Sequence, residues 1–213
     1  MAKRNPPTRK INRGDRRRFE GKPVKPHVVF AAEGETERAY FHALRTNRYG
    51  DRIAFTFSKT RDHSSLTKLV EAIRREGAVG GFGVTGAWIV CDVDENACHK
   101  GKLDKWLGES EKHRAAISHP CMEYWFLLHF CESPSSGSAQ GVVKELERAW
   151  PQYRKGGQVP SELIEATDEA VRRAHQRRKS LGDDADAWNS PQWTDMPELI
   201  AWLDKLDPGE TRH

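Results

Sequence analysis

The sequence predicts an α/β protein built on an open, mostly parallel sheet flanked by helices, with a C-terminal helical extension. Apolar runs of strand length alternate with segments of helical period from residue 27 to residue 130. The run from Thr85 to Cys91 has no polar alternation, which is typical of a parallel strand that is covered on both faces. A chain of 213 residues, 37% hydrophobic and 31% charged, is long enough to bury a core without metal or disulfide support.

The predicted elements follow in order along the chain. Strands are expected at residues 27–32, 53–57, 85–91 and 114–117, and helices at 34–44, 66–73 and 101–107. A further helix is expected from Pro120 to about Phe130, with Ser118 or His119 as its N-cap. Beyond a linker at 133–138, helical patterns cover 142–150, 164–181 and 199–206. We therefore divide the chain into a tail (1–25), an α/β core (26–131) and a helical extension packed on the core (132–213).

The positive charge is concentrated in the tail. Residues 1–25 carry ten basic and two acidic side chains, a net charge of +8, whereas the remaining 25 basic and 29 acidic groups give −4. With three prolines and no apolar period, this segment is expected to be disordered when unbound. It is either a solubility arm or an arm that binds polyanions, nucleic acid first. In the second case the contacts would come from Arg13, Arg16, Arg17 and Arg18.

Neither a membrane span nor a secretory signal is expected. No apolar stretch approaches the roughly 20 residues of a spanning helix, and no apolar segment follows the basic N-terminus. We expect a cytoplasmic protein whose four cysteines are reduced. A zinc site at Cys91, Cys98 and His99 is conceivable, but ordinary thiols explain the cysteines more simply.

Carboxylates follow two of the predicted strands. Glu33 comes after the first strand, and Asp92 and Asp94 come after the third. Ligands bind outside the carboxyl ends of strands in such sheets, and the two-residue spacing places Asp92 and Asp94 on the same side. Converging carboxylates repel each other unless a cation intervenes, and Mg²⁺ is commonly held by such groups. Each segment alone would also fit a solvated loop or an acidic first helical turn.

Glu123 is the other acidic residue of interest, because it falls inside an otherwise apolar helix that follows the fourth strand. An unpaired carboxylate would be costly there. Glu123 therefore either pairs with a cation or metal at the carboxyl edge of the sheet, or it turns to the surface. His129, six residues later, is expected to be a packed core histidine.

These motifs resemble the Toprim domain and, more narrowly, RloB-like proteins. The resemblance rests on Glu33-Gly-Glu-Thr-Glu37 with Tyr40-Phe41, on Asp92-Val-Asp94-Glu95, and on a segment from Ser118 to Phe130. That third segment reads Ser-x-Pro-Cys-x-Glu-x-Trp-x-Leu-Leu-His-Phe. The chain differs from the expected pattern at His119, where we expect Asn, and at Met122, where we expect Phe.

The resemblance implies a Toprim fold, dependence on Mg²⁺ or Mn²⁺, and cleavage of nucleic-acid phosphodiesters in antiphage defence, often beside an AAA-type ATPase. It implies that Glu33 acts as general base or acid and that Asp92 and Asp94 hold the metal. Glu37 and Glu123 would be supporting ligands or orienting residues.

Two alternatives stay open. Arg172 and Arg173, in a second basic cluster, either line the nucleic-acid groove or form a solvated face paired with Glu165, Asp168 and Glu169. The protein itself is either a metal-dependent nuclease or a non-catalytic module that binds nucleic acid or nucleotide and acts with a partner ATPase.

Overall fold

The computed structural model describes residues 25–32, 34–58, 66–79, 83–93, 100–132 and 134–207. Five strands are present in this part of the chain: β1 (His27–Ala32), β2 (Ala54–Phe57), β3 (Val84–Asp92), β4 (His113–His119) and β5 (Trp193–Thr194). Its α-helices are α1 (Glu35–Leu44), α2 (Leu66–Val79), α3 (Lys100–Gly108), α4 (Met122–Leu127), α5 (Ala139–Ala149), α6 (Ser161–Glu165), α7 (Thr167–Leu181) and α8 (Met196–Leu206).

The strands form one sheet in the order β2-β1-β3-β4-β5. The pairs β1–β2, β1–β3 and β3–β4 are parallel, and β5 joins β4 in antiparallel register. This Rossmann-like arrangement confirms the predicted α/β fold class. The chain goes outward from β1 in one direction to β2 and in the other to β3, so the crevice beside β1 and β3 is the switch point where ligands bind in such sheets.

Both faces of the sheet are covered, which explains the unbroken apolar runs of its central strands. In β1, Val28 and Phe30 pack into one hydrophobic cluster, and Val29 and Ala31 pack into a second one on the opposite face. Helices α2 and α3 contribute to the second cluster. The first cluster is larger and is covered by α1 and by helices from α4 onward. The alternation along β1 is therefore between two buried faces.

The C-terminal helices share their core with the sheet. Leu146 of α5, Leu163 of α6, Ala170 of α7 and Leu199 of α8 all belong to the cluster that contains Phe30 of β1. The same segment supplies β5, whose Thr194 pairs with Ser118. No helix among the described residues combines the length and apolar character needed to cross a membrane.

The start of α4 differs from the prediction. The expected caps, Ser118 and His119, are the last two residues of β4, and the helix begins at Met122 with Cys121 at its N-cap. Pro120 therefore lies outside the helix instead of in its first turn. The strand is longer than its apolar run, because Ser118 continues the ladder through its pairing with Asp92. Glu123 consequently lies in the first turn of α4.

Other boundaries also differ. Helix α4 ends at Leu127 and continues as hydrogen-bonded turns, in which His129 N donates to Phe126 O and Phe130 N to Leu127 O. The single helix expected at 164–181 is interrupted at Ala166, whose ψ of 5° separates α6 from α7. Strand β5 was not predicted, since two residues are too few to show a periodicity, and neither was the π-helical turn Arg45–Tyr49 after α1.

Candidate functional site

Three acidic residues from three elements lie at the carboxyl edge of the sheet, beside its switch point. Glu37 is in the first turn of α1, directly after β1. Asp92 is the last residue of β3, and Glu123 follows β4 in the first turn of α4. Asp92 and Glu123 line one pocket of about 410 Å³. Its other lining residues are Pro120, Cys121, Ala139, Val143, Glu147, Tyr153, Arg154 and Lys155.

Glu37 is almost fully buried, and its carboxylate caps the start of its own helix, α1. Its Oε2 accepts a hydrogen bond of 3.0 Å from the backbone N–H of Gly34, which satisfies one of the free donors at the helix start. A side chain at position 34 would put its Cβ 2.7 Å from that oxygen, so the close approach requires glycine. Burial raises the pKa of Glu37, and the negative charge of Glu123 raises that pKa further.

Glu123 is buried, with 6% of its surface exposed. The hypothesis that it turns to the surface is therefore wrong. Its Oε1 accepts a hydrogen bond of 2.6 Å from the hydroxyl of Tyr153, which is itself 5% exposed. Burial and this bond raise the pKa of Tyr153, so the phenol stays protonated and acts as a donor. A buried carboxylate that accepts such a bond avoids part of its desolvation cost.

Cys121 adds a thiol to the same pocket. Burial raises its pKa, and the charges of Glu123 and Asp92 raise it further. The residue is therefore a neutral thiol and a poor nucleophile. Cys91, Cys121 and Cys131 are not in disulfide bonds, whereas Cys98 and His99 of the zinc hypothesis lie outside the described residues. His129 is buried as predicted, and its Nδ1 lies 2.9 Å from the carbonyl oxygen of Trp125.

The loop between α5 and α6, residues 150–160, completes the pocket and was missed by the sequence analysis. Tyr153 ties it to α4, and the N–H of Gly156 donates a 3.1 Å hydrogen bond to Thr36 Oγ1 in α1. The loop lies far along the chain from every motif and has no periodicity of its own. Only the three-dimensional fold brings Tyr153 and Lys155 to the carboxylates.

The structure brings together three of the five predicted acidic site residues. Glu33 and Asp94 lie outside the described residues, so their roles stay predictions. Within the described ranges, no three His, Cys, Asp or Glu side chains converge closely enough to hold a metal ion. Mg²⁺ is usually bound by only one or two carboxylates, with waters and substrate phosphates as its other ligands. The oxygen ligands Asp92 and Glu123 beside one open pocket fit that requirement.

The predicted nucleic-acid-binding arginines divide into two groups. Arg13, Arg16, Arg17 and Arg18 lie outside the described residues. Arg172 pairs with Glu132 at 2.5 Å and with Glu169 at 2.7 Å. Its neighbour Arg173 also pairs with Glu169, at 3.1 Å, and donates to the carbonyl of Leu128.

This pairing favours the salt-bridged-face interpretation of the second basic cluster, although the partners are only partly those expected. Glu169 is one of them, whereas Asp168 pairs with Arg48 instead.

Comparison with known proteins gave one result. Neither the curated proteins nor the solved structures contain a match to this chain. The sequence model of the RloB-like proteins matches residues 28–203, which include all three described carboxylates and the whole sheet except His27, the first residue of β1. The chain therefore belongs to the RloB-like protein family.

Proposed function

We propose that this protein is a metal-dependent nuclease that hydrolyses phosphodiester bonds of nucleic acid. The observation that carries the proposal is the placement of Glu37, Asp92 and Glu123, from three elements, around the carboxyl ends of β1, β3 and β4. Carboxylates of like charge that lie close together, two of them buried, are expensive to assemble and are typical of functional sites. The open pocket beside them admits a substrate group.

The carboxylates would have distinct roles. Asp92, with Glu33 and Asp94, would hold Mg²⁺ or Mn²⁺, and Glu37 would support them. The ion supplies charge neutralisation at the phosphate and a more acidic water. Glu33 would move the proton as general base or acid. Glu123, held by Tyr153, would be a supporting ligand of the ion or would orient the groups around it.

Membership of the RloB-like family supports a proposal about the biological role of this activity. We propose that the protein acts inside the cell in antiphage defence, with an AAA-type ATPase as partner. The basic tail would hold the substrate by attraction to its phosphates, independent of sequence.

A second function is favoured by one set of contacts. Glu37 and Glu123 already accept hydrogen bonds from Gly34 and Tyr153, as carboxylates of a purely structural site would. A non-catalytic module that binds nucleic acid or nucleotide for a partner ATPase would look similar. It would be supported if Mn²⁺ raised the melting temperature while no substrate was cut.

The proposal is tested by incubating the purified chain with single-stranded DNA, double-stranded DNA and total RNA. Each substrate is combined with Mg²⁺, Mn²⁺ or EDTA, and the products are separated on denaturing gels. We expect shortened products with at least one substrate in Mg²⁺ or Mn²⁺ and none in EDTA. Intact substrates under every condition would contradict the nuclease activity proposed for this chain.

A further inference from the structure

Lys155 lines the pocket of Asp92 and Glu123, and the backbone is anchored on both sides of it in the chain. Two residues before it, the hydroxyl of Tyr153 is bonded to Glu123 of α4 at 2.6 Å. One residue after it, the N–H of Gly156 is bonded to Thr36, the neighbour of Glu37 in α1. The turn itself is closed by a 2.8 Å bond from Gly157 N to Arg154 O. The backbone at Lys155 is thus fixed to both elements that carry the buried acids.

The charge of Lys155 affects the buried acid Glu37, but its ammonium group forms no salt bridge with a described carboxylate. Lys155 lines the same pocket as Asp92 and Glu123, and its charge lowers the pKa of Glu37 against the effect of burial. Its side chain is exposed, and no described carboxylate lies within salt-bridge distance of it. An exposed ammonium group beside a pocket is available to an incoming anion.

The other cation of the pocket is arranged differently. Arg154 turns back on its own loop, where its Nη1 donates to the carbonyl oxygens of Pro151 and Tyr153. Part of its hydrogen-bonding capacity therefore serves to hold the turn. Lys155 is the better placed of the two to meet a ligand.

We propose that Lys155 forms a phosphate-binding subsite, which holds a backbone phosphate of a nucleic acid against the carboxylates of the pocket. This inference rests on the proposed function for the identity of the polyanion. A pocket lined by Asp92, Glu123 and Glu147 repels phosphate. A cation that lines the same pocket on an anchored stretch of backbone offsets that repulsion and selects the position at which the chain of phosphates crosses the site.

The subsite is tested by equilibrium binding of a labelled oligonucleotide, as DNA and as RNA, in EDTA between 50 and 200 mM salt, measured by fluorescence anisotropy. The variants are Lys155→Ala, Lys155→Gln and Lys155→Arg, with Lys205→Ala as control, because Lys205 is also an exposed lysine but lies on α8, outside the pocket. Melting temperatures check that each variant is folded.

We expect Lys155→Ala and Lys155→Gln to weaken binding about tenfold at 50 mM salt, the usual size of one charge-assisted hydrogen bond. The slope of log affinity against log salt should fall by about 1. Lys155→Arg and Lys205→Ala should stay close to the wild type.

The inference is overturned if Lys155→Ala binds within twofold of Lys205→Ala with the same salt slope, or if the wild type binds neither oligonucleotide. These outcomes are separate from failure of the nuclease proposal. Binding that depends on Lys155 without cleavage in Mg²⁺ or Mn²⁺ contradicts only the catalytic function. Cleavage with binding that does not depend on Lys155 contradicts only the subsite.

Discussion

The hydroxyl of Tyr153 donates a 2.6 Å hydrogen bond to Oε1 of Glu123, across a separation of 30 residues in the chain. Both side chains are buried, so the bond joins the loop after α5 to the first turn of α4 inside the protein. It fixes the orientation of a carboxylate at the edge of the sheet. The helical extension is therefore part of the candidate site and not only a cover for the core.

Tyr153→Phe is predicted to act on this site through Glu123. Losing a buried hydrogen bond to a carboxylate should lower the free energy of unfolding by about 1 to 3 kcal/mol, and it should lower the cleavage rate. Chemical denaturation and rate measurements check both effects.

Tyr49→Phe is a matched control for that substitution. Tyr49 is also buried and donates to the carboxylate of Asp204 at 2.9 Å, away from the pocket. The Tyr49→Phe variant should lose a similar amount of unfolding free energy but should cleave at the wild-type rate. In a Glu123→Gln background, Tyr153→Phe should have little further effect on rate. Equal rate losses for the two tyrosine variants would show that Tyr153 matters only for stability.

Gly34→Ala is predicted to displace the carboxylate of Glu37. The new Cβ would lie 2.7 Å from Glu37 Oε2, and that oxygen would lose its bond from the Gly34 N–H. We expect the free energy of unfolding to fall by only about 1 kcal/mol. The carboxylate is flexible and can move, so only an interaction at the helix start is lost. Urea denaturation measures it.

Gly101→Ala is the control for the glycine substitution. A Cβ at Gly101 meets nothing within 4 Å, and alanine favours the helical conformation of α3. This variant should be at least as stable as the wild type. If both alanine variants were equally stable, the contact between Gly34 and Glu37 would carry no energy.

The burial of His129 is predicted to make the stability of the protein depend on pH. Burial lowers its pKa from 6.5 to about 4, so between these values the unfolded chain binds more protons than the folded one. Stability from this group is complete above pH 6.5 and is lost as the pH falls towards 4. The loss should reach about 1 to 2 kcal/mol at pH 5 relative to pH 7.

Urea denaturation of the wild type and of His129→Gln at pH 7, 6 and 5 isolates this contribution, because carboxylate titrations are common to both proteins. The difference in unfolding free energy between the two should shift in favour of the variant as the pH falls. A difference that stays constant would mean that His129 does not titrate on unfolding.

The two basic regions are predicted to contribute unequally to nucleic-acid binding. Arg172 is bound to Glu132 and Glu169, so Arg172→Ala should change oligonucleotide affinity less than twofold. Deleting residues 1–25 removes ten basic side chains and should weaken binding and flatten its salt dependence. Oligonucleotide titrations over a range of salt concentrations compare the affinities of the two variants with that of the wild type. Unchanged binding by the truncated protein would leave the tail as a solubility arm.

Local sequence patterns were sufficient for the four parallel strands β1 to β4 and for the acid that ends β3. The apolar run of β3 and the position of Asp92 after it are properties of consecutive residues. Tyr153 and Lys155 could not be found in this way, because their role depends on contacts with Glu123 and Thr36 in distant elements. The start of α4 was misplaced for a related reason, since Ser118 belongs to β4 through its pairing with Asp92 on another strand.

We propose that Asp92 and the carboxylates around it catalyse the cleavage of nucleic acid. The most direct measurement is the cleavage rate of Asp92→Asn in Mn²⁺, compared with the wild type and with Glu111→Gln, an exposed acid just before β4 at the opposite edge of the sheet. We predict that Asp92→Asn loses at least about 100-fold in rate, as expected when charge stabilisation at a reacting phosphate is removed, while its melting temperature and the rate of Glu111→Gln stay near wild type. Cleavage by a folded Asp92→Asn protein at the wild-type rate would show that Asp92 has no catalytic role.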